Sequence, residues 1–312
     1  MEWEVRLIEW MQENSGDFIR VLGKICAFIG GEKGLLLMLL IVMFCWKKEV
    51  GKRIALILAS VNSYLPMIKS VVMRPRPYME YPDRVEARAL VESGAAAQDV
   101  AAQGYSFPSM HSASVTAAYI TLASEAKKRL IWILSICLSF LVGISRPVVG
   151  AHYPTDVLAG WIFGFVIIGI FSLLDRFVEK AWIRHLILLA FALPGVFFVR
   201  TQDYFTSLGV LIGVITAIPF EEKYVGFKDT NNVFAKVLRV ICAFLIFFIM
   251  NKLLKMPFSG EFLSGNSLAS LLIRTARYAI TIFVIIGVYP MVFPVFEKVN
   301  YPSPKGNGLL RV

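Results

Sequence analysis

The stretch from Ser145 to Arg176 reads SRPVVGAHYPTDVLAGWIFGFVIIGIFSLLDR. From Val157 to Leu174 it carries no charged residue, and a helix of that length crosses the hydrocarbon core of a bilayer, for which about 17 to 25 residues suffice. Arg146, His152 and Asp156 stand directly before the apolar run. Ionisable groups at membrane level are costly to hold there. A segment that joins such groups to a membrane helix points to a membrane protein with chemistry at one face.

The rest of the chain repeats the pattern. Of its 312 residues 57% are apolar and 17% charged, against roughly 45 to 50% apolar in an ordinary soluble domain, and the mean hydropathy is +0.66. A soluble globular enzyme is excluded. The expected fold class is all-α: a polytopic membrane protein of about nine transmembrane helices, near 25–46, 54–68, 106–124, 130–144, 157–174, 186–199, 205–220, 233–250 and 268–296. Gly30-Gly31 interrupts the first. Residues 1–24 are expected as an amphipathic interfacial helix, with Trp3, Leu7 and Trp10 on one face. Residues 25–175 form a five-span catalytic core with an outer cap at 78–104, in which 87–102 favours helix, and 176–312 a four-span membrane extension. Cys26, Cys45, Cys137 and Cys242 lie in or beside apolar runs without C-x-x-C spacing and read as free thiols.

Basic residues close alternate spans. Lys47, Lys48, Lys52 and Arg53 follow the first; Lys127, Lys128 and Arg129 the third; Arg176, Lys180 and Arg184 the fifth; Lys223, Lys228, Lys236 and Arg239 the seventh; Lys298, Lys305 and Arg311 the last. By the positive-inside rule those ends are cytoplasmic and the N-terminus lies outside. The net charge of +10 thus belongs to topology, and no nucleic-acid partner is expected. Segments 69–105 and 145–156 share the outer face, at the cell membrane.

Three polar clusters meet there. They are Lys69-x6-Arg76-Pro77, Pro108-Ser109-Met110-His111 and Ser145-Arg146-x5-His152-x3-Asp156. Lys69, Arg76 and Arg146 supply one point charge and two planar donor forks, which suit the oxygens of a phosphate and the charge that spreads over them during transfer. Pro108 and Pro154 suit the first turns of two helices whose N–H groups would face the same pocket. His152 has a carboxylate four residues on, so Asp156 can take the Nδ1 proton and leave Nε2 to attack phosphorus. His111 then serves as acid toward the leaving oxygen and as base toward water. A divalent metal is disfavoured among three cations, and no cofactor is expected.

The clusters resemble the three signature motifs of the type 2 phosphatidic acid phosphatase superfamily, the lipid phosphate phosphatases: K-x6-R-P, P-S-G-H and S-R-x5-H-x3-D. The resemblance covers the first five spans. It implies metal-free phosphate transfer, with Lys69, Arg76, Ser109 and Arg146 binding the phosphate and His111, His152 and Asp156 catalysing. Met110 stands where the family usually has Gly. Arg74-Pro75 is a second Arg-Pro pair at the wrong spacing, so Arg76 is preferred. The partners implied are a phosphorylated lipid of the phosphatidate, phosphatidylglycerophosphate or polyprenyl diphosphate type and the bilayer. The nine-span layout also resembles the glucose-6-phosphatase branch, which would bring a soluble sugar phosphate, and a transporter that binds a phospholipid uncleaved is the alternative outside enzymes. Gly209-x-x-x-Gly213 suits a helix seam inside the bundle or between copies of a homo-oligomer. Lys252, Lys255, Arg274 and Arg277 read as snorkelling anchors, or, for Arg274 and Arg277, as a site for a headgroup or second phosphate.

Overall fold

The computed structural model describes residues 2–91 and 94–298; Lys305 and Arg311, and the end of the expected C-terminal extension, lie outside them. The described residues form helices and turns and no strand. Among the described residues seven helices are long and apolar enough to cross a membrane: Lys48–Glu80, Arg129–Val148, Pro154–Phe177, Ala181–Phe198, Gln202–Val225, Val233–Leu253 and Leu268–Glu297. They match seven of the nine expected spans. The first and third expected spans differ, each for a physical reason.

In chain order the elements begin with α1 (Glu2–Glu13), α2 (Asp17–Gly30) and α3 (Glu32–Ile41), which a π turn extends to Trp46. The first expected span is therefore two helices, broken where Gly31 turns extended at φ −85° and ψ 170°. A boundary at residue 24 falls inside α2. Next come α4 (Lys48–Val72), the short α5 (Pro77–Glu80) and α6 (Val100–Gln103), and then α7 (Met110–Ala126). Among its described residues the cap is thus largely turns, not the helix expected over 87–102. It is pinned by side chains instead, with Gln103 Oε1 accepting from Val91 N at 2.7 Å and Arg88 donating to Gln12 O at 2.9 Å.

Helix α7, the third expected span, has only 17 residues and is the centre of the core. Ala113, Ser114, Val115, Thr116, Ala117 and Ala118 are all buried, so α7 meets helices on every side and uses small and hydroxylated side chains where a lipid-facing helix would use large apolar ones. Around it pack α4, α8 (Arg129–Val148) and α9 (Pro154–Phe177). A Cβ on Gly160 of α9 would sit 2.5 Å from Ser109 O, and one on Gly164 2.9 Å from Ala113 O. Only Gly lets these two backbones touch.

The extension comprises α10 (Ala181–Ala192), α11 (Gly195–Phe198), α12 (Gln202–Phe220), α13 (Val233–Leu253), α14 (Gly260–Ser264), α15 (Leu268–Phe283) and α16 (Phe293–Lys298). Gly209 and Gly213 of α12 face α15, where a Cβ on the first would collide with Thr275 O and one on the second with Ala279 O. This motif packs inside the bundle. Helix α12 also lies on α4, and at their far ends the fully buried Glu221 takes Lys48 at 3.1 Å and Lys52 at 2.7 Å. Core and extension form one bundle. Large apolar side chains such as Leu158, Ile162 and Phe165 of α9 point outward, as a lipid-facing surface requires.

Candidate active site

Each cluster sits at a helix end on one face of the bundle. Lys69 lies in the last turn of α4, and its Nζ donates to Tyr105 O at 2.6 Å and Ser106 O at 3.3 Å. Arg76 precedes α5 and is 6% exposed. Its Nε donates to the carbonyls of Gln103 and Gly104, its Nη1 to Ala151 O at 3.0 Å, and Nη1 lies 3.5 Å from His152 Nε2. Arg146, in the last turn of α8, is buried with Nε and Nη2 on Ser145 Oγ. The chain end of α8 thus delivers Arg146 and the turn after it delivers His152, while the α4 end delivers Lys69 and Arg76.

Ser109 is the N-cap of α7. Its Oγ accepts from Ser112 N and from Ser112 Oγ, and Ser109 N donates to Asp156 O at 3.0 Å, which locks the starts of α7 and α9 together. Helix α7 begins at Met110, so Pro108 lies before it and not in its first turn; Pro154 does open α9. His111 sits one residue inside α7, within Coulombic reach of Arg146, His152, Arg76 and Lys69. All seven expected site residues therefore converge, although the Ser109 hydroxyl is already engaged by the α7 cap.

His152 occupies the loop before α9, 3% exposed. Its burial, and then the charges of Arg76, Lys69 and Arg146, hold the imidazole well below its ordinary value of 6.5. This favours the neutral form of the ring, the form in which a histidine can act as a nucleophile. Nδ1 has no hydrogen-bond partner and lies 3.6 Å from Asp156 Oδ2, beyond hydrogen-bond reach. That oxygen accepts Tyr153 N at 2.8 Å, and Oδ1 accepts Arg74 Nη1 at 2.7 Å. The expected His152–Asp156 pair is thus a near approach in this state, not a made bond; catalytic hydrogen bonds are often long before substrate arrives.

Arg74 is the residue that sequence spacing sets aside. Its guanidinium lies 3.8 Å over the Tyr153 ring, donates to Thr155 Oγ1 and Asp156, and reaches Glu4 Oε2 at 2.8 Å. Glu4 Oε1 in turn accepts Thr155 N at 3.1 Å. The first turn of α9 therefore receives a carboxylate from α1 rather than presenting that N–H to the pocket. Helix α1 is docked: Val5 and Ile8 are fully buried, Arg84 binds Glu2 and Glu9, and Trp3 and Trp10 face outward. Glu4 is invisible to motif reading because it lies 70 residues from its partner.

Two cavities flank the site. A polar pocket of about 750 Å³ is lined by Lys69 and Met110 of the core and by Gln202, Asp203, Arg274 and Arg277 of the extension. An apolar cavity of about 150 Å³ is lined by Met110 and His111 together with Leu36, Leu39, Val210 and Ile286. Met110 belongs to both. Among the described residues no three His, Cys, Asp or Glu side chains converge as metal ligands.

Residues 50–180 match the model of the PAP2 superfamily, and residues 205–299 match that of the PAP2 superfamily phosphatase, transmembrane extension. The chain belongs to the PAP2 superfamily. All three motif clusters fall inside the first PAP2 match, and α13 to α16 with all but the first three residues of α12 inside the second. Among similar proteins, an undecaprenyl-diphosphatase of Sulfolobus acidocaldarius is 45% identical over 60 residues, 19% of this chain and 29% of the relative. A phosphatidylglycerophosphatase B of Bacillus subtilis is 34% identical over 85 residues, 24% of this chain and 40% of the relative. A lipid A 1-phosphatase of Rhizobium etli is 41% identical over 73 residues, 23% and 29% of the two chains. The matched stretches thus span well under half of each relative. No solved structure matches the chain.

Proposed function

We propose that this PAP2 protein is a membrane lipid phosphatase that transfers phosphate through a phosphohistidine, on the extracytoplasmic face. The observation that carries the reading is the buried His152, whose Nε2 lies 3.5 Å from the Arg76 guanidinium, with Lys69 and Arg146 acting on the same ring. A phosphate dianion drawn among these three cations meets a lone pair in line with its phosphorus. Nε2 forms the P–N bond as the P–O bond to the lipid breaks, and His111, as the imidazolium that the bound phosphate dianion favours, delivers its proton to the departing oxygen. Water then gives a proton to His111, its oxygen attacks phosphorus, and the P–N electrons return to Nε2. The three cations hold the equatorial oxygens in both steps.

A lipid, rather than a soluble ester, is favoured by the apolar cavity that His111 and Met110 help to line. A soluble sugar phosphate leaves such a cavity without an occupant, whereas an acyl or prenyl chain fills it. The basic ends of alternate spans support the outer location, and the three relatives named above support the substrate class by analogy. Purified protein in detergent, given phosphatidate, a prenyl diphosphate and glucose 6-phosphate, should release phosphate from a lipid and not from the sugar. With ³²P in the scissile group, an acid-labile, base-stable label should appear on wild type and be absent from His152→Ala. Lipid hydrolysis by His152→Ala at the wild-type rate sinks the mechanism, and uptake of lipid without phosphate release sinks the enzyme.

A further inference from the structure

Arg277 does not snorkel. It is 3% exposed, sits in the third turn of α15, and its Nε and Nη2 have no hydrogen-bond partner. A snorkelling arginine keeps its head in water, and a buried guanidinium without a partner is expensive. Arg277 forms no ion pair among the described residues. It lines the polar pocket that Lys69 and Met110 line from the core side. Arg274, one turn earlier, also lines it and is braced by Gln202. Lys255 lies at the same rim, where partial burial, then Arg277 and Arg274, hold its ammonium below its ordinary value. Four cations line the pocket, with Asp99 and Asp203.

We propose that Arg277 and Arg274 form a second anion site, which binds a second phosphate-type group of the same lipid headgroup, set off from the scissile phosphate by a polyol or sugar. This rests on the phosphatase reading above. The spacer follows from placement. Lys69 belongs to the catalytic group on α4, while the two arginines stand on α15 across a 750 Å³ pocket, so a phosphate bonded directly to the scissile one stays with the core. Ser264 and Asn266 line the same pocket and carry polar groups of the kind that hydroxyl groups bond. The extension would thus select the headgroup, the core would cleave it, and Met110, common to both cavities, would mark where head and chain part.

The test compares phosphatidylglycerophosphate, whose two phosphorus groups are separated by glycerol, with phosphatidate, which has one, and a prenyl diphosphate, whose two are adjoining. Arg277→Gln and Arg274→Gln should each raise KM for phosphatidylglycerophosphate on the order of tenfold, the loss of one charge-assisted hydrogen bond, with kcat and phosphatidate hydrolysis unchanged. Arg277→Lys should recover part of the loss, and unchanged phosphatidate turnover shows that the variants fold. Equal effects on all three substrates, or none, overturn the site, and an effect confined to the prenyl diphosphate overturns the spacer. Affinities for the two phospholipids are also measured on His152→Ala with and without Arg277→Gln. Absence of phosphate release by wild type would then defeat the phosphatase reading, while the affinity ratio separately upholds or overturns the second anion site.

Discussion

Arg74 and Asp156 are joined at 2.7 Å, and the pair is completed by Glu4, 2.8 Å from the other guanidinium nitrogen. The bond runs from the loop after α4 to the first turn of α9, and Glu4 brings α1 to both. Asp156 is fully buried and has spent one oxygen on Arg74 and the other on Tyr153 N. Its orientation toward His152 is thereby fixed before substrate arrives. An Arg–Tyr stack adds rigidity, since a planar guanidinium over a ring is held in one orientation. Arg74 touches neither His152 nor the cations around it in this arrangement, so it acts through Asp156 as a positioning residue.

Arg74→Gln should therefore lower kcat on the order of 100-fold, the cost of misplacing a catalytic group by about 1 Å, with KM little changed. Glu4→Gln should produce a smaller loss in the same sense. Arg76→Gln, by contrast, removes a proposed phosphate ligand and should change KM as well as kcat. A rise in KM without a fall in kcat for Arg74→Gln would assign Arg74 to substrate binding and refute the positioning role.

The contrast between Arg74 and Arg76 marks how much of the site the sequence exposes. Cluster spacing brings Lys69, Arg76, His111, Arg146, His152 and Asp156 together because each cluster is a helix end, and adjacent antiparallel helices return their ends to one face. Glu4 and Gly160 follow no local period: their roles depend on a contact with a distant element, Arg74 in one case and Ser109 O in the other. The apolar runs likewise reveal the lipid-facing helices α9 and α13 better than α7, whose buried small residues weaken its hydropathy. Residues 87–102 look helical by propensity, yet docking on α1 and tertiary hydrogen bonds decide their path. Arg277 reads as a snorkelling anchor until its buried, unpartnered head is seen.

The pH profile should carry the signature of His152. Burial and three neighbouring cations lower its proton affinity well below the ordinary 6.5, and the proposed nucleophile is the unprotonated ring. Protonation then removes activity only as pH falls through that lowered value, so kcat/KM should show no acid limb near 6.5, and the limb should lie well below it. Arg76→Gln removes the largest charge acting on the ring and should move the limb upward, toward 6.5, in whatever activity remains. Steady-state rates from about pH 4 to 9 decide this, because kcat/KM reports groups of the free enzyme. An unshifted limb at 6.5 in wild type would mean that His152 titrates as an exposed imidazole does.

Gly160 sets the distance between α9 and the cap of α7. Gly160→Ala would place a methyl group 2.5 Å from Ser109 O, a backbone atom that has no free rotamer with which to yield. The two helix starts must part, and the Ser109 N to Asp156 O bond with them. Activity should fall steeply and the thermal midpoint in detergent should drop. Gly169→Ala, on the same helix with nothing within 4 Å, should leave both unchanged. Equal tolerance of the two substitutions would show that α7 and α9 are less closely fixed than this contact requires.

The proposed sidedness rests on the basic ends of alternate spans and is open to direct labelling. The four cysteines are free, and only Cys137 is exposed, so a background without them is the starting point. Val91 in the cap is 53% exposed, and Tyr224, at the far end of the span that begins with α12, is 62% exposed. Val91 stands on the face that carries His152, and Tyr224 stands beside the Lys48–Glu221 contact on the other. With the positive ends of the helices held in the cytoplasm, Val91→Cys should react with an impermeant maleimide on intact cells, and Tyr224→Cys only after the membrane is opened. Retained phosphatase activity in each variant shows that the labelled protein is folded. The reverse pattern would put the catalytic face in the cytoplasm, and would require the substrate phosphate to be presented from the inner leaflet.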